Sequence, residues 1–246
     1  MTDQTRFLTL CEREAERADA TAGERFELYA EKRLHRILKD WISEDRSTQE
    51  QSVGRYTADL LRKDEIFEIQ TKSLRPLFQK LKYYLEETEY RVTVVHPILA
   101  EKTLIRADRE TGEVFSVKKS PKKGRALDGL IELYWLSSLL PNDRIAVRFL
   151  LLRADEVRYS ERVRYRKSGA YDSELFPREM LEEIVLQSQE DYRLFLPEDF
   201  PDFTAAEYAA FSKLRGRKVY SALNTLCAVG LLRKEQEGKK YRYFVE

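Results

Sequence analysis

Residues 59–72, DLLRKDEIFEIQTK, decide how the rest of the chain is read. Two runs that suit strands, 55–61 (RYTADLL) and 65–71 (EIFEIQT), flank the turn-like Arg62-Lys63-Asp64. Side chains alternate faces along a strand, so Glu68, Gln70 and Lys72 share one face while Phe67 and Ile69 point to the other. An even-numbered turn centred on Lys63-Asp64 pairs residues whose numbers sum to 127, which sets Asp59 opposite Glu68. Two carboxylates so placed repel, and each raises the other's pKa. A divalent cation between them removes both penalties. The expected cofactor is Mg²⁺ (or Mn²⁺), because Mg²⁺ takes one or two carboxylates and fills its other positions with water. Such an ion lowers the pKa of a coordinated water and stabilises charge on a scissile phosphate. Lys72 is placed to orient or deprotonate that water, or to stabilise the phosphorane. The bland alternative is a half-exposed hairpin in a chain of which 35% is charged.

Outward from the hairpin, apolar residues Phe26, Ala30, Leu34, Ile37, Leu38 and Trp41 recur at helical spacing and predict a helix over 23–42. Residues 43–53 (SEDRSTQEQSV) read as a loop. After the hairpin, Ser73 reads as the N-cap of a helix with Leu74, Leu77, Phe78, Leu81 and Leu85 on one face. A strand over 90–98, a strand pair around 103–105 and 113–117, a helix over 126–140 and a buried strand over 144–152 follow. The order is that of an α/β domain with a mixed sheet.

These residues carry a resemblance. The region resembles the restriction-endonuclease-like, PD-(D/E)xK nuclease fold: a leading helix with a glutamate, a hairpin bearing an aspartate and a (D/E)xK triad, then a helix. Eight residues separate Asp59 from Glu68 and ten separate it from Gln70. Glu68-Ile69-Gln70 is similar to the ExQ form of some restriction enzymes. Gln70-Thr71-Lys72 is similar to the QxK form in the endonuclease subunit of certain heteromeric transposases. Either Gln70 or Lys72 then takes the lysine role. Gly23-Glu24-Arg25-Phe26-Glu27 resembles the GxxxE start of the leading helix, where Glu24, Glu27, Glu31 and His35 form a stripe. The resemblance makes Glu27 the third metal ligand, with Glu31 the second choice. His35 and His96 read as structural, and no Gly-rich phosphate loop is present.

The 246 residues are 42% hydrophobic, enough for a folded core, and no apolar run approaches the length of a membrane span. The first residues lack the pattern of a secretory signal, and two distant cysteines, Cys11 and Cys227, do not make a disulfide framework. A soluble, cytoplasmic protein is expected. Net charge is only +1, but it is segregated. Residues 117–125 (VKKSPKKGR) hold five basic and no acidic side chains, and 158–167 hold five basic and one acidic. From Ser212 onward there are nine basic and three acidic residues, against two and nine in the 35 before. Such segregation suits a polyanion met on selected faces.

The pattern changes near residue 168, and 168–176 reads as a linker between a nuclease-like domain (1–167) and a tail (177–246). Thr204-Ala205-Ala206-Glu207 is a capping box. A basic turn, a helix over 219–229 and a hairpin around Glu237-Gly238 follow, with residues 177–189 as a candidate first helix. The order resembles a winged helix, whose second helix enters the major groove while the wing touches the backbone. Arg215, Arg217, Lys218 and Tyr220 at the helix start, and Lys239, Lys240 and Arg242 on the wing, are the expected DNA contacts. The reading is a Mg²⁺-dependent endodeoxyribonuclease acting on double-stranded DNA, from a defence or mobile-element system, acting alone, as a homodimer or with a partner subunit. Its alternative is a non-catalytic DNA-binding or regulatory protein on a degenerate nuclease fold.

Overall fold

Helices α1 (Asp3–Ala20) and α2 (Tyr29–Ile42) begin the chain, and Leu34, Ile37, Leu38 and Trp41 of α2 are buried at the predicted helical spacing. The computed structural model describes residues 3–20, 29–108, 111–160, 173–198, 200–238 and 240–246. Strands β1 (Gln49–Val53), β2 (Tyr56–Arg62) and β3 (Glu65–Ile69) follow α2. A 3-10 turn (Arg75–Leu77) then leads into α3 (Phe78–Glu87) and strand β4 (Arg91–Asp108). Next come β5 (Val114–Lys119), α4 (Ala126–Glu132) with a 3-10 extension to Leu136, β6 (Ile145–Ser160) and β7 (Ser173–Leu186).

These strands form one mixed, seven-stranded sheet in the order β1-β2-β3-β4-β6-β7, with β5 paired to β4. Strands β3 and β4 are parallel, from Glu65↔Arg91 to Ile69↔Val95. Parallel neighbours need a crossover connection, and α3 supplies it. Strand β3 is buried on both faces, as such a central position requires.

The helix expected from a Ser73 cap starts at Phe78 after a 3-10 turn, the strands expected over 90–98 and 103–105 are one strand, the helix expected over 126–140 ends sooner, and further expectations change. The polar run QEQSV, expected as loop, is strand β1, whose alternation buries Gln49 and Val53 and leaves Glu50 exposed. The hairpin strand ends at Ile69, not Thr71. Residues 173–186, expected as the end of a linker and the start of the tail's first helix, are strand β7 beside β6. A β-branched pair, Ile184-Val185, and a neighbouring strand with backbone groups to satisfy outweigh the helical spacing of its apolar residues. Residues 168–172 lie outside the described residues.

By contacts the chain makes two compact units: residues 1–49, 97–125 and 150–183 form one, and residues 50–96, 126–149 and 184–246 the other. The second unit includes the tail: β8 (Asp202–Thr204), α5 (Ala205–Ser212), α6 (Arg217–Ala228), β9 (Leu232–Glu237) and β10 (Lys240–Val245). Its small antiparallel sheet runs β8-β10-β9. The expected capping box is present: Thr204 accepts from the Glu207 backbone N–H, and Glu207 accepts from that of Thr204. Phe203 stacks between Tyr208 and Tyr243, with centroids at 5.6 and 6.2 Å.

Val219, Ala222, Leu223 and Leu226 bury the inner face of α6, and Thr225 Oγ1 donates to the Leu130 carbonyl on α4 at 3.4 Å. Gly129 permits α4 to lie close to its neighbours, because a Cβ there would come within 2.6 Å of the Phe149 ring. Gly129→Ala is therefore expected to destabilise by about 1–3 kcal/mol, read as a lower urea midpoint at unchanged m. No described helix is long and apolar enough to cross a membrane.

Candidate active site

Strands β2 and β3 pair as Leu60↔Phe67, Leu61↔Ile66 and Arg62↔Glu65, the register the hairpin sequence predicts. The paired register stops one step short of Asp59 and Glu68, and the two carboxylates are near enough for the charge of Asp59 to act on Glu68. Asp59 Oδ2 accepts a hydrogen bond from the Ile69 backbone N–H at 2.7 Å, which fixes the aspartate on the edge of β3. Glu68 is 1% exposed. Its Oε2 accepts from Lys80 Nζ at 2.6 Å and its Oε1 from the Tyr84 hydroxyl at 3.2 Å.

Burial above all, and then the charge of Asp59, push the Glu68 carboxyl up to about 7, against the lowering influence of Lys80 and Tyr84. Burial and the facing Glu68 likewise raise the Tyr84 hydroxyl. Lys80 and Tyr84 are four residues apart on α3 and so project from one helix face. The crossover that makes β3 and β4 parallel brings that face onto Glu68.

Gln70 and Lys72 fall on the loop after β3, so strand alternation does not carry them onto the Glu68 face. The Gln70 backbone N–H donates to the Val95 carbonyl at 3.0 Å, and its side-chain Nε2 donates to the Ser73 carbonyl at 2.8 Å. Lys72 is exposed. His96 is buried, and its Nδ1 lies 2.6 Å from the Gln70 carbonyl, so Nδ1 carries the proton. Burial lowers the pKa of His96, which keeps the ring neutral, and its edge meets Phe149. It anchors the loop leaving β3, a structural role as expected.

Glu24 and Glu27 lie outside the described residues, as does the side chain of Glu31. Among the described residues no group of three or more His, Cys, Asp or Glu side chains could hold a metal ion. Among the described residues the acidic cluster is the pair Asp59 and Glu68, met by Lys80. The apolar periodicity of α3 marks its buried stripe but not the edge that carries Lys80 and Tyr84, so periodicity alone does not name them. The legible signal was a Lys-x-x-x-Tyr pair on the helix that must cross from β3 to β4.

In the tail, Arg215, Arg217, Lys218 and Tyr220 are exposed at the start of α6. Lys213, in left-handed backbone at φ 59°, and Gly216, also at φ 59°, shape the turn that presents them. Lys240 is exposed on β10, and Lys239 lies outside the described residues. Arg242 is instead held between Asp202 and Glu237. That pairing offsets the charge expected to meet DNA and ties β10 to its neighbours.

Residues 32–187 match the family described as a domain of unknown function, DUF8091, over more than half of the chain. The chain belongs to that family. A protein of Treponema pallidum (strain Nichols), described as uncharacterized, is 31% identical over 164 residues, which is 65% of this chain and 61% of that protein. No solved structure matches. The DUF8091 region contains Asp59, Glu68, Gln70, Lys80, Tyr84 and His96 and ends one residue after β7. The helices and small sheet of the tail lie beyond it.

Proposed function

We propose that this DUF8091 chain is a cytoplasmic, metal-dependent DNA endonuclease that hydrolyses phosphodiester bonds and grips duplex DNA with a winged-helix tail. The observation that supports it most is the Asp59–Glu68 pair with Lys80 on Glu68, on a hairpin followed by a crossover helix. The donor set suits a divalent cation. Two ionised carboxylates and one ammonium would leave the cluster one negative charge in excess, and the raised pKa of Glu68, due first to burial and then to the charge of Asp59, shows that its ionised form lacks full compensation. Asp59 and Glu68 would hold Mg²⁺ or Mn²⁺, which when bound supplies a water of low pKa and charge neutralisation at the phosphate. Asp59 is oriented by the Ile69 N–H, and Glu68 by Tyr84. Lys80 offers positive charge to phosphate oxygens that gain charge as the water oxygen bonds to phosphorus and the ester P–O bond breaks. The attacking water would give up its proton to solvent, and the leaving oxygen would take one from solvent.

The test is nicking of supercoiled plasmid by the full chain with Mg²⁺ or Mn²⁺. Cleavage that EDTA abolishes and Asp59→Asn lacks is the expected result, and equal nicking by Asp59→Asn overturns the reading. A second reading, a non-catalytic DNA-binding protein on a degenerate nuclease fold, draws support from one feature: both Glu68 oxygens already have protein partners. It expects duplex binding with no cleavage under any metal.

For the tail, Arg215, Arg217 and Lys218 contact phosphates at the start of α6, with Tyr220 beside them. Replacing the three together with Gln is expected to lower the slope of log affinity against log salt by about 2–3 units, near 0.9 per contact. A duplex-binding titration at several salt concentrations reads it. An unchanged slope means that this face meets protein.

A further inference from the structure

We propose that strand β5 and the loop after it, residues 114–125, form a second docking surface for the phosphate backbone of duplex DNA. The inference rests on the reading of this chain as a DNA-acting protein and adds a contact surface in the other compact unit, remote in sequence from the tail.

Among the described residues strand β5 pairs with β4 alone, from Thr103↔Lys119 to Ala107↔Val114, and so forms an edge. Val114, Phe115 and Val117 are exposed on it. Lys118 and Lys119 are exposed too, and consecutive strand residues point to opposite faces, so the edge carries positive charge on both sides. The loop beyond is fixed in place. The Ser120 backbone N–H donates to the Lys102 carbonyl at 2.7 Å, and that of Gly124 to the Leu99 carbonyl at 2.9 Å. A Cβ at Gly124 would stand 2.5 Å from the Leu99 oxygen, so the close approach requires glycine. Lys122 and Lys123 therefore extend from a backbone held at both ends, and both are exposed.

The neighbouring acids are already committed. Within this unit Glu101 pairs with Arg153 at 2.9 Å, Asp155 with Arg178 at 2.8 Å, and Glu156 with Lys102 at 2.5 Å and Arg158 at 2.6 Å. Glu179 is also paired to Arg153. Lys119 and Lys123 lie near enough to Glu101 to help lower its pKa, but the hydrogen-bonded partner of that carboxylate is Arg153, and Lys118, Lys119, Lys122, Lys123 and Arg125 make a run of five basic side chains with no acid among them in sequence. A charged edge that must be neutralised on two faces fits the linear array of DNA phosphates. A flat bilayer would reach only one face of it.

The experiment measures binding of the full chain to a short mixed-sequence duplex across a salt series. Lys118→Gln/Lys119→Gln/Lys122→Gln/Lys123→Gln is expected to weaken binding for all sequences and to lower the salt slope by about 3–4 units. A control, Lys63→Gln/Lys82→Gln, removes exposed lysines from the other unit and should leave the slope unchanged. All these side chains are solvent-facing, and an unchanged melting curve verifies the fold. The tail triple variant, run in parallel, separates the two proposals. A slope lost only in the β5 variant supports this surface while overturning the tail, and a slope lost only in the tail variant overturns this surface. No binding by the wild-type chain overturns both. Binding to phosphatidylserine vesicles that the quadruple variant loses, with duplex binding unaltered, assigns the surface to membrane and overturns the inference.

Discussion

Lys80→Met is expected to slow Mg²⁺-dependent plasmid cleavage by about 10²–10³-fold, while Lys72→Met leaves the rate unchanged. The contrast follows from position. Lys80 Nζ is 2.6 Å from Glu68 Oε2, whereas Lys72 sits exposed on the loop after β3 ends. One preorganised charge aimed at a transition state contributes about 3–4 kcal/mol, which is the expected factor. Lys80→Met also leaves Glu68 buried without its cation, and breaking a buried pair costs about 3–5 kcal/mol. Lys80→Arg therefore belongs in the same experiment, because it keeps the charge, and its melting curve separates lost chemistry from lost fold. A dead Lys72→Met beside an active Lys80→Met would return the lysine role to the loop. Gln70→Ala should keep cleaving, since its side chain holds the Ser73 carbonyl rather than the acidic pair.

The second large effect is on stability. Folding moves the Glu68 carboxyl from its ordinary 4.5 up to about 7. The folded chain thus holds a proton that the unfolded chain has already released. The stabilisation this proton gives is fully present below about pH 4.5 and is lost as pH rises through 7. A displacement of that size corresponds to about 3 kcal/mol. Glu68→Gln cannot ionise, so between pH 4.5 and 8 the wild type should lose about 3 kcal/mol relative to it. Urea unfolding of both chains across that range reads the difference, because titrations common to the two cancel. At pH 8, Mg²⁺ should restore part of the loss in the wild type and none in Glu68→Gln. Parallel stability curves would mean that Glu68 is not strained by burial beside Asp59, and the case for a metal site would fall with that result.

Much of this was legible. The hairpin register followed from turn parity and alternation alone, and both are local properties of the backbone. Thr204 and Glu207 announced the start of α5 for the same reason: a capping box is satisfied within four consecutive residues. The inner face of α6 was likewise visible as a stripe of apolar residues at helical spacing.

What sequence could not decide depends on partners distant along the chain. Residues 173–186 carry apolar side chains that serve a helix or a strand, and β7 exists because β6 offers it a ladder. The polar run 49–53 becomes β1 for the same reason. Alternation predicted that Gln70 and Lys72 share the face of Glu68, but β3 ends at Ile69, where the Gln70 carbonyl meets the buried His96 instead. The lysine that meets Glu68 is Lys80, twelve residues on. Local periodicity thus determined the hairpin, the acidic pair and the helices of the tail. Only the tertiary structure decided which cation neutralises Glu68, because that choice is made by the crossover of α3 between two parallel strands.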